Sequence, residues 1–307
     1  MLTGVRERTV DLGYAAGWQV VRALPEPVAR RTFDAGADLA ARRGGPGVDR
    51  LRGNLARVSG LDGDELDALV AAGMRSYARY WREAFRLPGM DPDEVYRRID
   101  PTVAGLEHLD AALAAGRGAV VALTHSGNWD MVGAWAVGRY GGFTTVAERL
   151  RPESLFRRFV AYRESLGFEI LPMTGGEAPV RGLLRALRAN RIVCLVADRD
   201  LSEQGVPVDF FGARATMPPG PAVLAAMTGA PVLALGSWFT SDPATGEGWG
   251  FRLHPPITVP GRAHVPAATQ AMADAFALDI AAHPADWHML QRVWAPPSLT
   301  AGAAAPR

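Results

Sequence analysis

Lysine is absent from this chain of 307 residues: all 33 basic residues are arginine. That excludes a Schiff-base lysine and a P-loop lysine, and two enzyme classes with them. An arginine-only basic complement also fits the codon bias of a GC-rich genome. Cysteine is nearly absent too. The one cysteine, Cys194, lies inside the apolar run Ile192-Val193-Cys194-Leu195-Val196 and reads as a small buried hydrophobe rather than a nucleophile. It forbids an internal disulfide and suits a reducing compartment. An excess of either charge is missing: the formal net charge is +1, which gives no general pull toward nucleic acid, and none is expected as a partner. A signal-peptide pattern is lacking, because Arg6, Glu7, Arg8 and Asp11 precede a short uncharged run from Leu12 to Val21. The long uncharged stretch Ala215 to Ser241 is broken by Pro218, Pro219, Gly220, Pro221, Gly229 and Pro231. It reads as loop, helix, turn and buried strand rather than a membrane span, so any membrane contact is expected to be peripheral.

Hydrophobic residues make up 48% of the chain, enough for a globular protein with a large core. Residues 5 to about 90 read as largely helical. Asp62-Gly63-Asp64-Glu65 resembles a capping box, and after it Leu66, Leu69, Val70, Met74, Tyr77, Trp81 and Phe85 recur at mostly three- and four-residue spacing. Arg75, Arg79, Arg82 and Arg86 form a second stripe on that helix. The stripe is either a solvated face or a basic, aromatic-flanked surface for anionic headgroups. The first helix, with Val10, Tyr14, Trp18 and Val21 on one face and Arg6 and Arg22 flanking, carries the same two readings. From residue 118, strands at 118–124, 143–147, 168–172, 192–197 and 231–238 alternate with helices at 128–139, 152–166, 177–189 and 218–229. This alternation predicts an α/β fold with a central mixed or largely parallel sheet flanked by helices. Gly246-Glu247-Gly248 suggests a hairpin at the far edge, and a helix follows at about 266–282. One domain is expected over 1–307: an N-terminal helical, membrane-associating region at 1–90, an α/β core at 91–297 and a disordered tail at 298–307.

The most informative stretch is Val120-Val121-Ala122-Leu123-Thr124-His125-Ser126-Gly127-Asn128-Trp129-Asp130. An apolar strand ends in a histidine, and an aspartate five residues on opens the next helix. A histidine held by a carboxylate is the smallest unit that deprotonates a hydroxyl near neutral pH. Residues five apart on an ideal helix do not share a face. The pair therefore works only if His125 lies in the turn and Gly127 lets the chain bend, so that Asp130 reaches back to one imidazole nitrogen. The alternative is a histidine that caps the helix or is satisfied in the core. Asp198-Arg199-Asp200 also follows an apolar run, and sites in α/β sheets collect outside the carboxyl ends of strands. Glu148-Arg149, after Thr144-Thr145-Val146, falls under the same logic. A metal site would need a second histidine at ligand spacing, which is not seen.

Among Arg149, Arg151, Arg157, Arg158 and Arg163, some are solvated helix surface, while others could hold phosphates bidentately. Val208-Asp209-Phe210-Phe211-Gly212 is either a loop anchored on the core or a lip over an apolar tunnel. Met131, Trp135, Met217 and Met227 read mostly as core.

These blocks resemble the glycerolipid-type acyltransferase superfamily defined by His-x4-Asp. They are closest to the bacterial branch that includes lipid A late acyltransferases and the actinobacterial phosphatidylinositol mannoside acyltransferases. The resemblance runs through Arg52-Gly53-Asn54-Leu55-Ala56-Arg57-Val58, Met74-Arg75-Ser76-Tyr77 and Tyr80-Trp81-Arg82-Glu83. It continues through Thr124 to Asp130, Val146-Ala147-Glu148-Arg149-Leu150-Arg151-Pro152-Glu153, Asp198-Arg199-Asp200-Leu201, Asp209-Phe210-Phe211-Gly212 and Trp287-His288-Met289-Leu290. With the GC-biased composition, it points to an actinobacterial source.

The resemblance implies a peripheral enzyme on the cytoplasmic face of the plasma membrane. Such an enzyme moves a long acyl chain, such as palmitoyl, from acyl-CoA as co-substrate to a mannose hydroxyl of phosphatidylinositol mannoside, with no metal or redox cofactor. It implies His125 as general base, Asp130 as its orienter, and Asp198, where relatives are expected to carry Glu, as a sugar-holding or His-tuning acid. Asn128, Glu148, Arg149, Arg163 and Asp200 are expected at the substrate, Glu148 on sugar hydroxyls and Arg149 and Arg163 on phosphate or bracing the site. The backbone N–H groups of the turn at 126–128 are the candidate oxyanion donors.

Overall fold

The computed structural model describes residues 17–147, 153–172, 179–200, 205–243 and 246–294. The expected tail at 298–307, most of the first helix, and the pair Glu148-Arg149 with Arg151 lie outside them. All five strands that the alternation predicts form, from largely apolar sequence. β2 (Ala119–Leu123) is buried at every position, as befits a parallel strand covered on both faces. β3 (Phe143–Ala147), β4 (Phe168–Pro172), β5 (Ile192–Val196) and β8 (Val232–Asp242) follow, joined by α7 (Trp129–Tyr140), α8 (Glu153–Ser165), α9 (Pro179–Arg188) and α10 (Gly220–Thr228).

Among the described residues these strands, with β1 (Val103–Ala104) and β9 (Gly246–Leu253), form a seven-stranded sheet in the order β1-β9-β8-β2-β5-β3-β4. Its pairings are parallel except β8 with β9. Successive side chains of β2 enter opposite layers. Val120 and Ala122 join the core under α9, α10 and α11 (Val265–Ala282), whereas Ala119, Val121 and Leu123 join the core under α7 and α8. The hairpin at Gly246 forms as expected, but β9 is not the edge, because β1 pairs outside it. The stretch Ala215 to Ser241 is the end of β7 (Ala213–Met217), then α10, a turn and most of β8. No helix among the described residues is long and apolar enough to cross a membrane.

Two parts of the fold differ from expectation. Residues 91–117, for which the periodicity gave nothing, form α5 (Pro92–Ile99), the two-residue β1 and α6 (Leu106–Ala114). These elements are too short for a period to register. The segment around Phe210-Phe211 is neither loop nor lip. It is a two-residue hairpin between β6 (Val206–Phe210) and β7 (Ala213–Met217). Phe211 and Gly212 both have positive φ (49° and 70°), the backbone that a type I′ turn requires. Phe210 is buried and stacks on Trp294 with centroids 5.8 Å apart. Met131, Trp135 and Met217 are core, whereas Met227 is exposed.

The N-terminal region packs as helices: α1 (17–23), α2 (Glu26–Arg43), α3 (Pro46–Ser59) and α4 (Gly63–Arg86). α4 begins after Asp62 as expected, yet the Asp62 side chain makes no capping hydrogen bond. The arginine stripe of α4 is neither a solvated face nor a headgroup surface, apart from Arg75, which is exposed and paired with Asp38 at 2.6 Å. Arg82 is only 2% exposed and ion-pairs with Glu247 of β9 and, at 3.3 Å, with Glu26 of α2. Arg79 binds Glu83 at 2.7 Å and the Gly248 carbonyl at 2.8 Å, and lies 4.0 Å over the Phe239 ring. Arg86 donates to the Val21 and Leu24 carbonyls and pairs with Glu26 at 2.9 Å. The stripe is thus a strut that ties α4 to α2 and to the β8–β9 hairpin. Removing Arg82 takes away a buried guanidinium and the ion pairs with Glu247 and Glu26 that it carries, which costs more than losing an exposed pair. Arg82→Ala is expected to lower unfolding stability by about 3 kcal/mol in urea titrations, whereas Arg75→Ala should change it by less than about 1 kcal/mol.

Candidate active site

β2 and β5 are parallel neighbours in the register Leu123↔Val196. His125 and Asp198 each lie two residues past those paired positions, so the sheet itself brings them together at its carboxyl edge. The Asp198 carboxylate is completely buried and accepts three hydrogen bonds: from His125 Nδ1 at 2.6 Å, the His125 backbone N–H at 2.9 Å and Trp287 Nε1 at 2.9 Å. Burial works to raise its pKa, but the attraction of His125 and these donors outweigh it, and the carboxyl titrates below its ordinary value. An ionised carboxylate has only acceptors. Nδ1 therefore carries the hydrogen, and in the neutral ring Nε2 has the lone pair. The His125 side chain is 30% exposed and can be reached.

Asp130, expected to orient His125, does something else. It is 1% exposed and accepts from Arg163 Nε at 2.7 Å and Nη2 at 3.1 Å, and from the Tyr80 hydroxyl at 3.2 Å. The orienting carboxylate is Asp198, and the reason is geometric. A helix N-terminus directs Asp130 toward α4 and α8, while strand register delivers Asp198 to the imidazole. Burial opposes the Arg163 charge, but Asp130 outweighs it and the guanidinium pKa is raised. Burial pushes the Tyr80 hydroxyl up, so it stays a neutral donor.

Asn128, expected at the substrate, is fully buried. Its Oδ1 accepts the Asp130 and Met131 N–H groups as the N-cap of α7, and its Nδ2 donates to Glu83 at 2.8 Å. Glu83 also accepts Trp249 Nε1 at 2.8 Å, so α4 anchors the turn. Asp200 accepts the Gly205 N–H at 2.6 Å.

Two of the turn's three N–H groups, those of Gly127 and Asn128, are occupied as well. Gly127 N donates to the Asp286 carbonyl at 2.9 Å, and Asn128 N to Ser237 Oγ at 3.2 Å. Neither is available as an oxyanion donor. Gly127 has φ 54°, and a Cβ there would sit 2.4 Å from Ser237 Oγ and 2.8 Å from the Trp238 nitrogen. Only glycine lets the turn press against β8.

Behind the turn, the segment Asp286–His288 closes the site; in sequence, Trp287-His288 stands out only through the family likeness. The His288 N–H donates to the His125 carbonyl at 2.7 Å. The His288 ring contacts Ser76 Oγ at 2.8 Å, and Ser76 also donates to Asp286 at 2.6 Å. Burial, with His125 adding to it, pushes the His288 pKa down to about 3. The ring stays neutral and places no second positive charge beside His125. Its spacing to other site residues is irregular, so no motif announces it.

His125, Trp129, Asp130, Arg163 and Arg199 form the polar end of a cavity of about 260 Å³ whose other walls are largely apolar, among them Leu123, Ile170, Cys194 and Val196. Burial raises the Cys194 thiol to about 12, which keeps it inert. A nearby groove of about 630 Å³ is lined by Trp18, Phe33, Tyr77, Trp81, Phe85 and Phe159. The arrangement suits a base that deprotonates a hydroxyl beside an apolar chain.

His288 also supplies a pH signature. Its folded pKa is far below that of an unfolded histidine, so between about pH 6.5 and 3 the unfolded chain binds the extra proton and stability falls with pH. Asp286, raised by burial, contributes with the opposite sign. Thermal unfolding from pH 7 to 5 should show a falling midpoint, and His288→Gln should flatten that fall.

Comparison with known proteins accords with this geometry. The family model for bacterial lipid A biosynthesis acyltransferase matches residues 5–295. A Mycobacterium tuberculosis (strain CDC 1551 / Oshkosh) protein named phosphatidylinositol mannoside acyltransferase is 56% identical, over 95% of this chain and 90% of its own length. The protein of the same name from Mycolicibacterium smegmatis is 56% identical, over 94% of this chain and 92% of its own. The chain thus belongs to the bacterial lipid A biosynthesis acyltransferase family and is an acyltransferase.

Proposed function

We propose that this acyltransferase moves a long-chain, palmitoyl-like group from acyl-CoA to a mannose hydroxyl of phosphatidylinositol mannoside, at the cytoplasmic surface of the membrane. The observation that carries the reading is the His125–Asp198 pair opening onto an apolar cavity, in a chain 56% identical to enzymes named for that acceptor.

His125 Nε2 takes the proton of the attacking hydroxyl, whose oxygen bonds to the thioester carbon. Asp198 holds the ring and stabilises the imidazolium as it forms. When the tetrahedral intermediate collapses, the carbon–sulfur bond breaks and the imidazolium proton goes to the departing thiolate. A positioned base supplies about 10²–10⁴-fold, and alignment of hydroxyl and thioester supplies more. Arg163, buttressed by Asp130 and Tyr80, lines the cavity with His125 and braces the crevice. Glu148 on the sugar hydroxyls and Arg149 on phosphate complete the acceptor site. The donor's chain lies in the apolar cavity, where each buried methylene contributes about 0.8 kcal/mol. The aromatic groove between α2, α4 and Phe159 meets the lipid surface, and no cofactor is needed.

Purified protein given palmitoyl-CoA and phosphatidylinositol mannoside should yield a product heavier by one acyl group in mass spectrometry. His125→Ala should abolish it, and Asp198→Asn should lower kcat by about 10²-fold or more. Asp130→Asn should act chiefly through the packing of Arg163, lowering the melting midpoint along with activity. Thioester hydrolysis that depends on His125, without acyl gain on this acceptor, would keep the chemistry and reject the acceptor.

A further inference from the structure

We infer that the ring pair Phe143–Phe168, seated on Gly133, is the stop that sets the length of acyl chain this enzyme accepts. The inference rests on the reading above that the donor's chain enters the cavity at His125.

The cavity has two unlike ends. His125 follows the carboxyl end of β2, and Asp130, Arg163 and Arg199 gather beside it. Phe143 and Phe168 are the first residues of β3 and β4 and face each other in register. The strands are parallel, so the two rings lie at the opposite, amino end of the sheet while lining the same cavity. From Phe143 to Ala147 is four residue steps, about 13 Å at the rise of a parallel strand. Between the ends the walls include Thr145, Ile170 and Cys194, with no charge. Such a slot takes the thioester at the polar end and the methyl terminus at the rings.

The rings are held where they close it. Both are buried, 4% and 5% exposed, with centroids 4.7 Å apart. An ideal Cβ on Gly133 would lie 2.5 Å from Phe168 Cζ, 2.8 Å from its Cε2 and 3.0 Å from Phe143 Cζ. Gly133 sits inside α7 with ordinary helical backbone, where glycine is otherwise unfavourable. The contact with Phe168, not a turn, is what requires glycine there. The depth of the slot is therefore fixed by how far the Phe168 ring can back into the space that Gly133 leaves.

The test is a competition among even-numbered acyl-CoA donors from octanoyl to stearoyl, with phosphatidylinositol mannoside as acceptor and the acyl length of the product read by mass spectrometry. Phe168→Ala and the better-packed Phe168→Leu should move the product profile to longer chains. The ratio of the longer donor to the wild-type optimum should rise about ten-fold, the scale of discrimination by a methylene in an apolar pocket. Gly133→Ala should push the ring into the slot and move the profile to shorter chains. Thermal unfolding identifies the folded variants, and Phe168→Leu serves if Phe168→Ala does not fold. A folded variant that transfers acyl groups with the wild-type profile overturns the inference alone. Wild-type protein that uses none of these donors overturns the donor reading, and this inference with it.

Discussion

The Asp198 carboxylate accepts hydrogen bonds from His125 Nδ1, from the His125 N–H and from Trp287 Nε1, with no exposure to solvent, and the rest of the site is arranged around it. A buried carboxylate is tolerated only when its charge is matched and its lone pairs are filled. The same three donors fix the position of the backbone at His125, the tautomer of its ring and the placement of the Asp286–His288 segment. Strand register is the origin of the pair: Leu123↔Val196 sets both residues two steps beyond the sheet. The candidate base thus sits two residues past a strand that is buried at every position, in a turn held by hydrogen bonds on both sides, which favours a fixed geometry.

A second set of buried polar contacts supports that arrangement from the helical region. Glu83 of α4 accepts from Asn128, Trp249 and Arg79. Through Asn128 it caps α7, the helix that carries Asp130 and Gly133. The helices of the N-terminal region are therefore bound into the active-site turn. The arginines of α4 that resemble a headgroup surface in sequence are occupied with internal acids and carbonyls. The groove that α4 leaves beside α2 is lined by aromatics, and Arg75, the exposed arginine of the stripe, is paired with Asp38 of α2.

Most of the fold was legible because buried strands and amphipathic helices write long apolar periods. The expected strands at 143–147 and 168–172 coincide with β3 and β4, and the helix at 266–282 with α11. The short elements at 92–114 and the Phe211-Gly212 hairpin were not, because they depend on close approaches and positive φ rather than on period. His125 was legible from its place after a strand. Its partner was not: chain proximity favours Asp130, and only the pairing of β2 with β5 reveals Asp198. Asn128 was mistaken for a substrate contact because a capping side chain and a binding one share the same polar chemistry. His288 and Glu83 act across more than 160 residues of chain, His288 on His125 and Glu83 on Trp249, a distance at which one sequence carries no signal.

The most direct test of this account is the tautomer of His125, read from the nitrogen chemical shifts of its ring in selectively labelled protein. The account predicts a hydrogen on Nδ1 and a bare Nε2, with the Nδ1 proton shifted far downfield by the carboxylate. Asp198→Asn should abolish that signature, and folded Asp130→Asn should keep it. A hydrogen on Nε2 in the wild-type protein, or a signature lost with Asp130 and kept without the Asp198 carboxylate, would contradict it.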